Sequence, residues 1–170
     1  MEQAKIDFPV SGHVSFKELA ENMEGRSRTL IVSQASMPIG ASLAKRMQAS
    51  AKENVWELQR IREVDGERVI LDKDYIRQSI VPRLKNMTGQ DSLYEYLEQE
   101  LGLDISYAIK EITVDEPTEE DIRLLDFSSY SSIVVVRSLI YLEDTTLFQF
   151  TESRHRPDKF RFVEFARRGR

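Results

Sequence analysis

The sequence contains no cysteine, which excludes a disulfide framework, a thiolate metal site and a cysteine nucleophile. It has only two histidines, His13 and His155, which lie far apart and show no metal-ligand spacing. Glycine is sparse, and the chain has no glycine-rich phosphate-binding or dinucleotide-binding motif and no nucleophile elbow. We therefore predict no metal site, no cofactor and no enzymatic activity.

Long hydrophobic runs are also missing. No window of about 18 consecutive apolar residues suggests a membrane span, and the N-terminus does not read as a signal peptide. These absences predict a cytoplasmic protein without a membrane partner. The net charge of −5 argues against a chain that grips nucleic acid by itself. Basic residues do crowd the last 17 positions, as they also would on a solvated terminal face.

Hydrophobic periodicity divides the chain into a lead-in, residues 1–28, and a folded domain, residues 29–170. Ser15, with Glu18 three residues on, predicts a short helix in the lead-in. Strands are predicted at residues 29–33, 55–64, 69–76, 107–114, 133–141 and 147–156. Helical patterns cover residues 41–52, 77–86, 92–101 and 118–125.

Asp65-Gly66 lies between two alternating segments, which is a strong signal for a β-hairpin. The strands pair as hairpins, and no regular βαβ alternation is present. The pattern predicts an α+β domain, an antiparallel sheet with helices packed on one face.

The last strand combines an apolar start with a polar end. Alternation places Gln149, Ser153 and His155 on the face of Leu147, opposite Phe148 and its i+2 neighbours. Amide, hydroxyl and imidazole groups of this kind can read sugar hydroxyls, although a lone histidine is usually a surface residue. This strand is predicted to form a pocket wall.

Arg60 and Arg62 are i, i+2 neighbours on one strand, so their side chains start about 7 Å apart. Planar guanidinium groups can converge on one anion, and phosphate suits them well. The alternative is that both form salt bridges across the sheet. Asp72 fits either hypothesis, because its carboxylate can accept hydroxyl hydrogen bonds or pair with the arginines.

Ser92 precedes a helical pattern that includes Tyr94. A hydroxyl beside the N–H groups of a helix N-terminus can cradle a phosphate. A simple capping box of Ser92 and Glu95 explains the same residues. The joint presence of these groups and the two arginines favours a ligand pocket.

Arg60-x-Arg62, the Asp-Gly turn, Ser92-Leu93-Tyr94 and Ser153-x-His155-Arg156-x-Asp158-x-Phe160 together resemble the UTRA domain. That domain is the effector-binding half of HutC-type repressors in the GntR superfamily. The stretches PVSGHVSFKELAE and FQFTESRHRPDKFRFVEFARR are similar to the branch of the family that represses trehalose operons in Gram-positive bacteria.

The resemblance implies a chorismate-lyase-like fold, an antiparallel sheet with flanking helices, in a homodimer with a sugar-phosphate pocket. The implied phosphate ligands are Ser15, Arg60, Arg62, Ser92 and Tyr94. The sugar is expected at Asp72, Gln149, Ser153 and His155, and Arg137 is a further pocket candidate.

Three of these positions depart from the usual family pattern. Asp72 replaces a common Glu, and Gln149 and His155 replace Glu and Tyr. The shorter carboxylate leaves room for a larger ligand, which favours a disaccharide phosphate, trehalose 6-phosphate, over a hexosamine phosphate.

The family's N-terminal winged helix-turn-helix domain has no counterpart in the sequence. The expected function is therefore the effector-sensing and dimerisation part of a repressor that reaches operator DNA only through that domain and leaves it when trehalose 6-phosphate binds. The alternatives are a sensor of another phosphosugar, a chorismate-lyase-like enzyme, and a dimerisation module with a degenerate pocket.

Overall fold

The computed structural model describes residues 6–7 and 26–169. The predicted helix at Ser15 lies outside the described residues. The strands are β1 (Ile6–Asp7), β2 (Ser27–Pro38), β3 (Asn54–Val64), β4 (Glu67–Arg77), β5 (Ile105–Asp115), β6 (Ile133–Leu142), β7 (Leu147–His155) and β8 (Phe160–Arg161). The helices are α1 (Ala41–Arg46), α2 (Leu93–Glu95, continued by a π-helix, Tyr96–Glu100), α3 (Glu119–Leu124) and a 3₁₀ turn, Pro157–Lys159.

Six strands form one antiparallel sheet in the order β2-β3-β4-β7-β6-β5, and β1 pairs in parallel with β8. The predicted hairpin is confirmed. Asp65 and Gly66 have φ angles of 52° and 78°, the left-handed values that a tight two-residue turn between twisted strands requires. Hairpins between consecutive strands, such as this one, make the sheet antiparallel.

Helices pack on both faces of the sheet, so the prediction that they share one face is wrong. Leu93 and Leu97 of α2 pack on Leu58, Ile76 and their neighbours. The other two helices lie on the opposite face. Ala44 of α1 contacts the cluster that includes Val55 and Phe150, and Leu124 beside α3 contacts Ile61 and Leu71. Each fully buried side chain of this size contributes about 1.5–3 kcal/mol, so two apolar cores hold the sheet.

No helix forms over residues 77–86, contrary to prediction. Proline at position 82 disfavours helix in this segment, and the strands provide other partners for its backbone. Trp56 Nε1 donates to the Val81 carbonyl at 2.9 Å, and Gln34 Nε2 donates to the Lys85 carbonyl at 2.9 Å. Tertiary hydrogen bonds therefore hold this loop across the sheet and lead the chain into α2.

The same loop approaches β2 closely at Gly89. A Cβ at this position would lie 2.2 Å from the Thr29 carbonyl oxygen, a distance that only glycine avoids. The close approach fixes the start of α2 beside the sheet.

The strand β7 contains an irregularity that the alternation did not predict. The register between β6 and β7 shifts between Ile140 and Tyr141. As a result Phe148 packs with Leu58 and Ile140, whereas Leu147 packs on the opposite face. The predicted faces of these two residues are therefore reversed, and the alternation holds from Gln149 onward.

None of the helices described in residues 26–169 is long and apolar enough to cross a bilayer.

Candidate functional site

Polar side chains of three central strands share one face of the sheet, which we call the polar face. Arg60 of β3 lies opposite Asp72 of β4, which lies opposite Ser153 of β7. In the next register row Arg62 lies two residues along β3, and His155 two along β7. Side chains two residues apart point the same way. The sheet thus brings together residues that the sequence predicted as one site.

Both arginines are paired with carboxylates. Arg60 Nη2 lies 2.8 Å from Asp74 Oδ2, and Arg62 Nε lies 2.7 Å from Asp72 Oδ2. Arg62 also donates to the Thr29 hydroxyl of β2 at 2.8 Å. The salt-bridge alternative therefore describes the contacts that these arginines make, and both guanidinium groups are held on the polar face.

The two carboxylates differ in acidity. Burial by itself raises the pKa of Asp72, but the positive charges of Arg62 and Arg60 outweigh burial and hold that pKa below its usual value. Burial raises the pKa of Asp74, and the nearby Asp72 charge adds to the increase. Asp74 is thus the carboxylate whose charge the site stabilises less.

Ser153 links Asp72 to His155. Its hydroxyl donates to Asp72 Oδ1 and lies 2.8 Å from His155 Nε2. Because burial lowers the pKa of His155 to about 4, the imidazole is neutral at pH 7. The single Ser153 proton goes to Asp72, so His155 Nε2 is the donor toward Ser153. This order, Asp–Ser–His, differs from the hydrolase order, in which histidine takes the serine proton. The arrangement suits ligand binding, not nucleophilic attack.

Two buried polar atoms of the cluster have no hydrogen-bond partner among the described residues. They are Arg60 Nε and Gln149 Oε1. The Gln149 amide nitrogen donates to Asp74 Oδ1 at 3.0 Å, which orients its oxygen away from that carboxylate. An unpaired buried donor or acceptor costs about 1–3 kcal/mol. A donor and an acceptor left open on one face can be satisfied by a bound polar molecule.

Helix α2 carries Tyr94, and Ser92 precedes its first residue. Burial and the Asp74 charge raise the pKa of Tyr94 well above its usual value, while Arg60 lowers it. The Tyr94 hydroxyl therefore lies within the field of the cluster. Ser92 is the N-cap of α2 and accepts from the Glu95 N–H at 3.4 Å, so the helix-capping alternative is present.

Arg137 does not join this cluster. It lies opposite Glu152 in the register of β6 and β7, which places it on the other face of the sheet. Its guanidinium contacts Glu152 at 3.2 Å, Thr113 at 3.1 Å and Asp115 at 3.4 Å. The grouping of Arg137 with the pocket residues was wrong, because its neighbours Val135 and Leu139 face away from the arginines of β3. Ser15 lies outside the described residues.

Sequence reasoning missed two members of the cluster, Asp74 and Thr29. Asp74 could have been found, since it lies two residues from Asp72 on the same strand and must share its face. Thr29 gave no signal, because its role follows from the pairing of β2 with β3. An apolar groove lined by Ile80–Arg83, Leu101 and Leu103 shares no residue with the cluster.

Comparison with known proteins identifies the architecture. The model of the UTRA domain family matches residues 22–161. This chain belongs to the UTRA domain family. The chain is 50% identical over 170 residues, all of its length and 71% of the relative, to the HTH-type transcriptional regulator TreR of Bacillus subtilis. It is 22% identical over 168 residues, 99% of the chain and 70% of the relative, to the mannosyl-D-glycerate transport/metabolism system repressor MngR of Escherichia coli.

Solved structures agree with this assignment. The effector-binding domain of the B. subtilis trehalose repressor, 50% identical, superposes with a TM-score of 0.77 over 84% of this chain and 99% of that one. PhnF from Mycobacterium smegmatis, 20% identical, shares the fold with a TM-score of 0.86 over 97% of this chain and 73% of that one. The chain is therefore the effector-binding domain of a TreR-like transcriptional regulator. It is a regulatory domain, not an enzyme, and reaches DNA through another domain.

Proposed function

We propose that this UTRA domain senses trehalose 6-phosphate, and that binding releases the repressor from its operator. The observation that carries the proposal is the pair of unsatisfied polar atoms, Arg60 Nε and Gln149 Oε1, buried together on the polar face. One is a donor of a charged group and suits a phosphate oxygen; the other is an acceptor and suits a sugar hydroxyl. The 50% identity to a regulator called the trehalose repressor supports the choice of sugar.

The proposed phosphate ligands are Ser15, Arg60, Arg62, Ser92 and Tyr94, and the proposed sugar ligands are Asp72, Gln149, Ser153 and His155. A phosphate that binds more than the open Arg60 Nε must compete with Asp72 and Asp74 for the two guanidinium groups. Binding therefore loosens ion pairs between neighbouring strands, and it shifts the domain only as far as the ligand prefers the rearranged state. We further propose that the domain works as a homodimer, in which such a shift reaches both DNA-binding domains.

A thermal-shift titration with trehalose 6-phosphate, trehalose and glucose 6-phosphate tests the ligand. A ligand at 100 times its dissociation constant adds about 2.7 kcal/mol of stability. We expect trehalose 6-phosphate to raise the unfolding midpoint more than the other two. Absence of any shift would contradict the proposal, and a larger shift with another phosphosugar would reassign the effector.

Release from DNA requires a separate experiment. A chimera that joins the helix-turn-helix region of the B. subtilis TreR to this domain should bind that regulator's operator. Trehalose 6-phosphate is expected to lower the operator affinity in a fluorescence-anisotropy titration. Tighter operator binding with the ligand would show that the effector acts as a corepressor.

A further inference from the structure

The polar face continues beyond the arginine cluster, along a row that crosses the sheet toward the β5 edge. Asp74 of β4 lies opposite Thr151 of β7, and Thr151 lies opposite Ser138 of β6. Ser138 in turn lies opposite Lys110 of β5. All four residues occupy one register row, and their side chains leave the same face of the sheet.

Ser138 is a polar residue in a strand whose other side chains on this face are apolar. The polar-face positions of β6 are otherwise apolar and are Val134, Val136, Ile140 and Leu142. Ser138 is 4% exposed, and a buried hydroxyl costs free energy unless a hydrogen bond compensates for it. A serine here fills less space than Val136 and Ile140 beside it, and its hydroxyl can bind a polar ligand.

Apolar side chains flank the outer half of the row, at Ser138 and Lys110, on both sides. Val136 and Ile112 lie in the register row on one side, and Ile140 and Ala108 in the row on the other. A line of hydroxyl and amine groups between apolar walls matches the surface of a sugar ring, which alternates hydroxyl and C–H groups. Burial lowers the pKa of Lys110, as expected for an amine held against such walls.

The length of the row indicates how long a ligand must be to contact all four residues. Neighbouring strands lie about 4.8 Å apart, so the row extends about 14 Å from Asp74 to Lys110. Asp74 is already bonded to Arg60 and Gln149, the residues proposed to hold the phosphorylated end. A single phosphorylated ring that reached those groups would leave the outer part of the row empty.

We propose that Thr151, Ser138 and Lys110 form a second sugar subsite, which binds the ring of a disaccharide phosphate that is remote from the phosphate. The inference rests on the proposed function, since it assumes a phosphosugar at the arginine cluster. The hydroxyls of Thr151 and Ser138 contact ring hydroxyls, and the Lys110 amine donates to the outermost of them. This subsite selects two rings over one.

Isothermal titration of variants with trehalose 6-phosphate and glucose 6-phosphate tests the subsite. Lys110→Met keeps the length of the side chain, and Thr151→Val keeps its shape. We expect each to weaken trehalose 6-phosphate about tenfold, the loss of one hydrogen bond to the ligand, and to leave glucose 6-phosphate unchanged. Lys52→Met, at an exposed lysine outside the row, is the matched control and should change neither affinity.

Three outcomes would overturn the subsite. Unchanged trehalose 6-phosphate affinity in Lys110→Met and Thr151→Val would remove these residues from the site while the proposed function stands. Equal loss of both ligands would mean that the substitutions disturb the arginine cluster. Failure of the unmodified domain to bind either ligand would overturn the proposed function and the subsite together. Ser138→Ala is the smallest change in the row. If it weakens trehalose 6-phosphate while its unfolding midpoint is unchanged, the loss of affinity does not come from altered folding.

Discussion

Arg60 and Asp74 form a buried ion pair, with 2.8 Å between Nη2 and Oδ2 and only 7% of each side chain exposed. Two charges at this depth are stable only as a pair, because each alone would lose its hydration without compensation. A phosphate that displaces Asp74 from Arg60 Nη2 must therefore leave Asp74 either with Gln149 as a neutral donor or with a proton of its own. The raised pKa of Asp74 makes the second route accessible. Effector binding is thus linked to whether the ion pair of Arg60 and Asp74 is intact.

Arg60→Ala should discriminate between phosphorylated and free sugars. Hydrogen bonds to charged groups contribute about 1.5–3 kcal/mol, so the affinity for trehalose 6-phosphate is expected to fall about 10- to 100-fold. Free trehalose should change little, since it makes no contact that needs the charge. Calorimetric titration of both ligands measures the difference.

The matched control is Arg123→Ala, at an arginine whose side chain is 71% exposed. It should leave both affinities unchanged. Equal losses for the two ligands in Arg60→Ala would remove Arg60 from the phosphate site. A thermal melt of each variant verifies that the compared domains are folded.

Asp74→Ala should destabilise the domain strongly, because it leaves Arg60 buried without its carboxylate. Breaking a buried ion pair from one side costs about 3–5 kcal/mol, which urea unfolding resolves. The double variant Arg60→Met with Asp74→Leu should recover most of the loss, since it removes both charges. Glu63→Gln, in the pair with Arg28 whose side chain is 65% exposed, should cost no more than about 1 kcal/mol.

A similar cost in the single and the double variant would contradict this account. It would mean that packing around Asp74, and not the charge left on Arg60, determines the stability.

The sequence predicted the hairpin and the placement of Arg60, Arg62 and Asp72 because both depend on local rules. A left-handed Asp-Gly turn sets the register of two strands, and a period of two sets their faces. Predictions failed where a distant partner decides the outcome. The Trp56 indole and the Gln34 amide bind the backbone of a segment that its own residues predicted to be helical.

The face of the sheet on which Arg137 lies could not be predicted from the alternation of its own strand. Its own strand gave its face relative to Val135 correctly, but nothing local relates that face to the face of Arg60. The relation passes through the pairings of β6 with β7, β7 with β4 and β4 with β3. Two of these pairs join consecutive strands, but β4 and β7 are distant in sequence, so no local rule sets their relative faces.

The stability of the domain should fall as the pH is lowered from about 6.5 to about 4, owing to His155. Burial lowers its pKa to about 4 in the folded domain, against about 6.5 in the unfolded chain. Between these values the unfolded chain binds more protons, so stability increases with pH across that window. A difference of about 2.5 pKa units corresponds to about 3 kcal/mol.

Urea unfolding of the domain and of His155→Gln between pH 4 and 7.5 isolates this contribution. The glutamine variant retains Asp72 and Asp74, so the carboxylate contributions largely cancel in the difference. We expect the two curves to converge toward low pH. Parallel curves would mean that His155 accepts a proton in the folded domain without cost.

Arg137→Met should leave the affinity for trehalose 6-phosphate within about twofold of the original. The Arg137 guanidinium bonds to Glu152, Thr113 and Asp115 on the face opposite Arg60, so it has no direct path to a ligand on the polar face. The substitution should instead lower stability by about 1 kcal/mol, because these partners are partly exposed. Paired calorimetric titration and urea unfolding of the variant measure both effects. A loss of affinity without loss of stability would show that ion pairs on one face of the sheet control binding on the other, and Arg137 would then be part of the allosteric route.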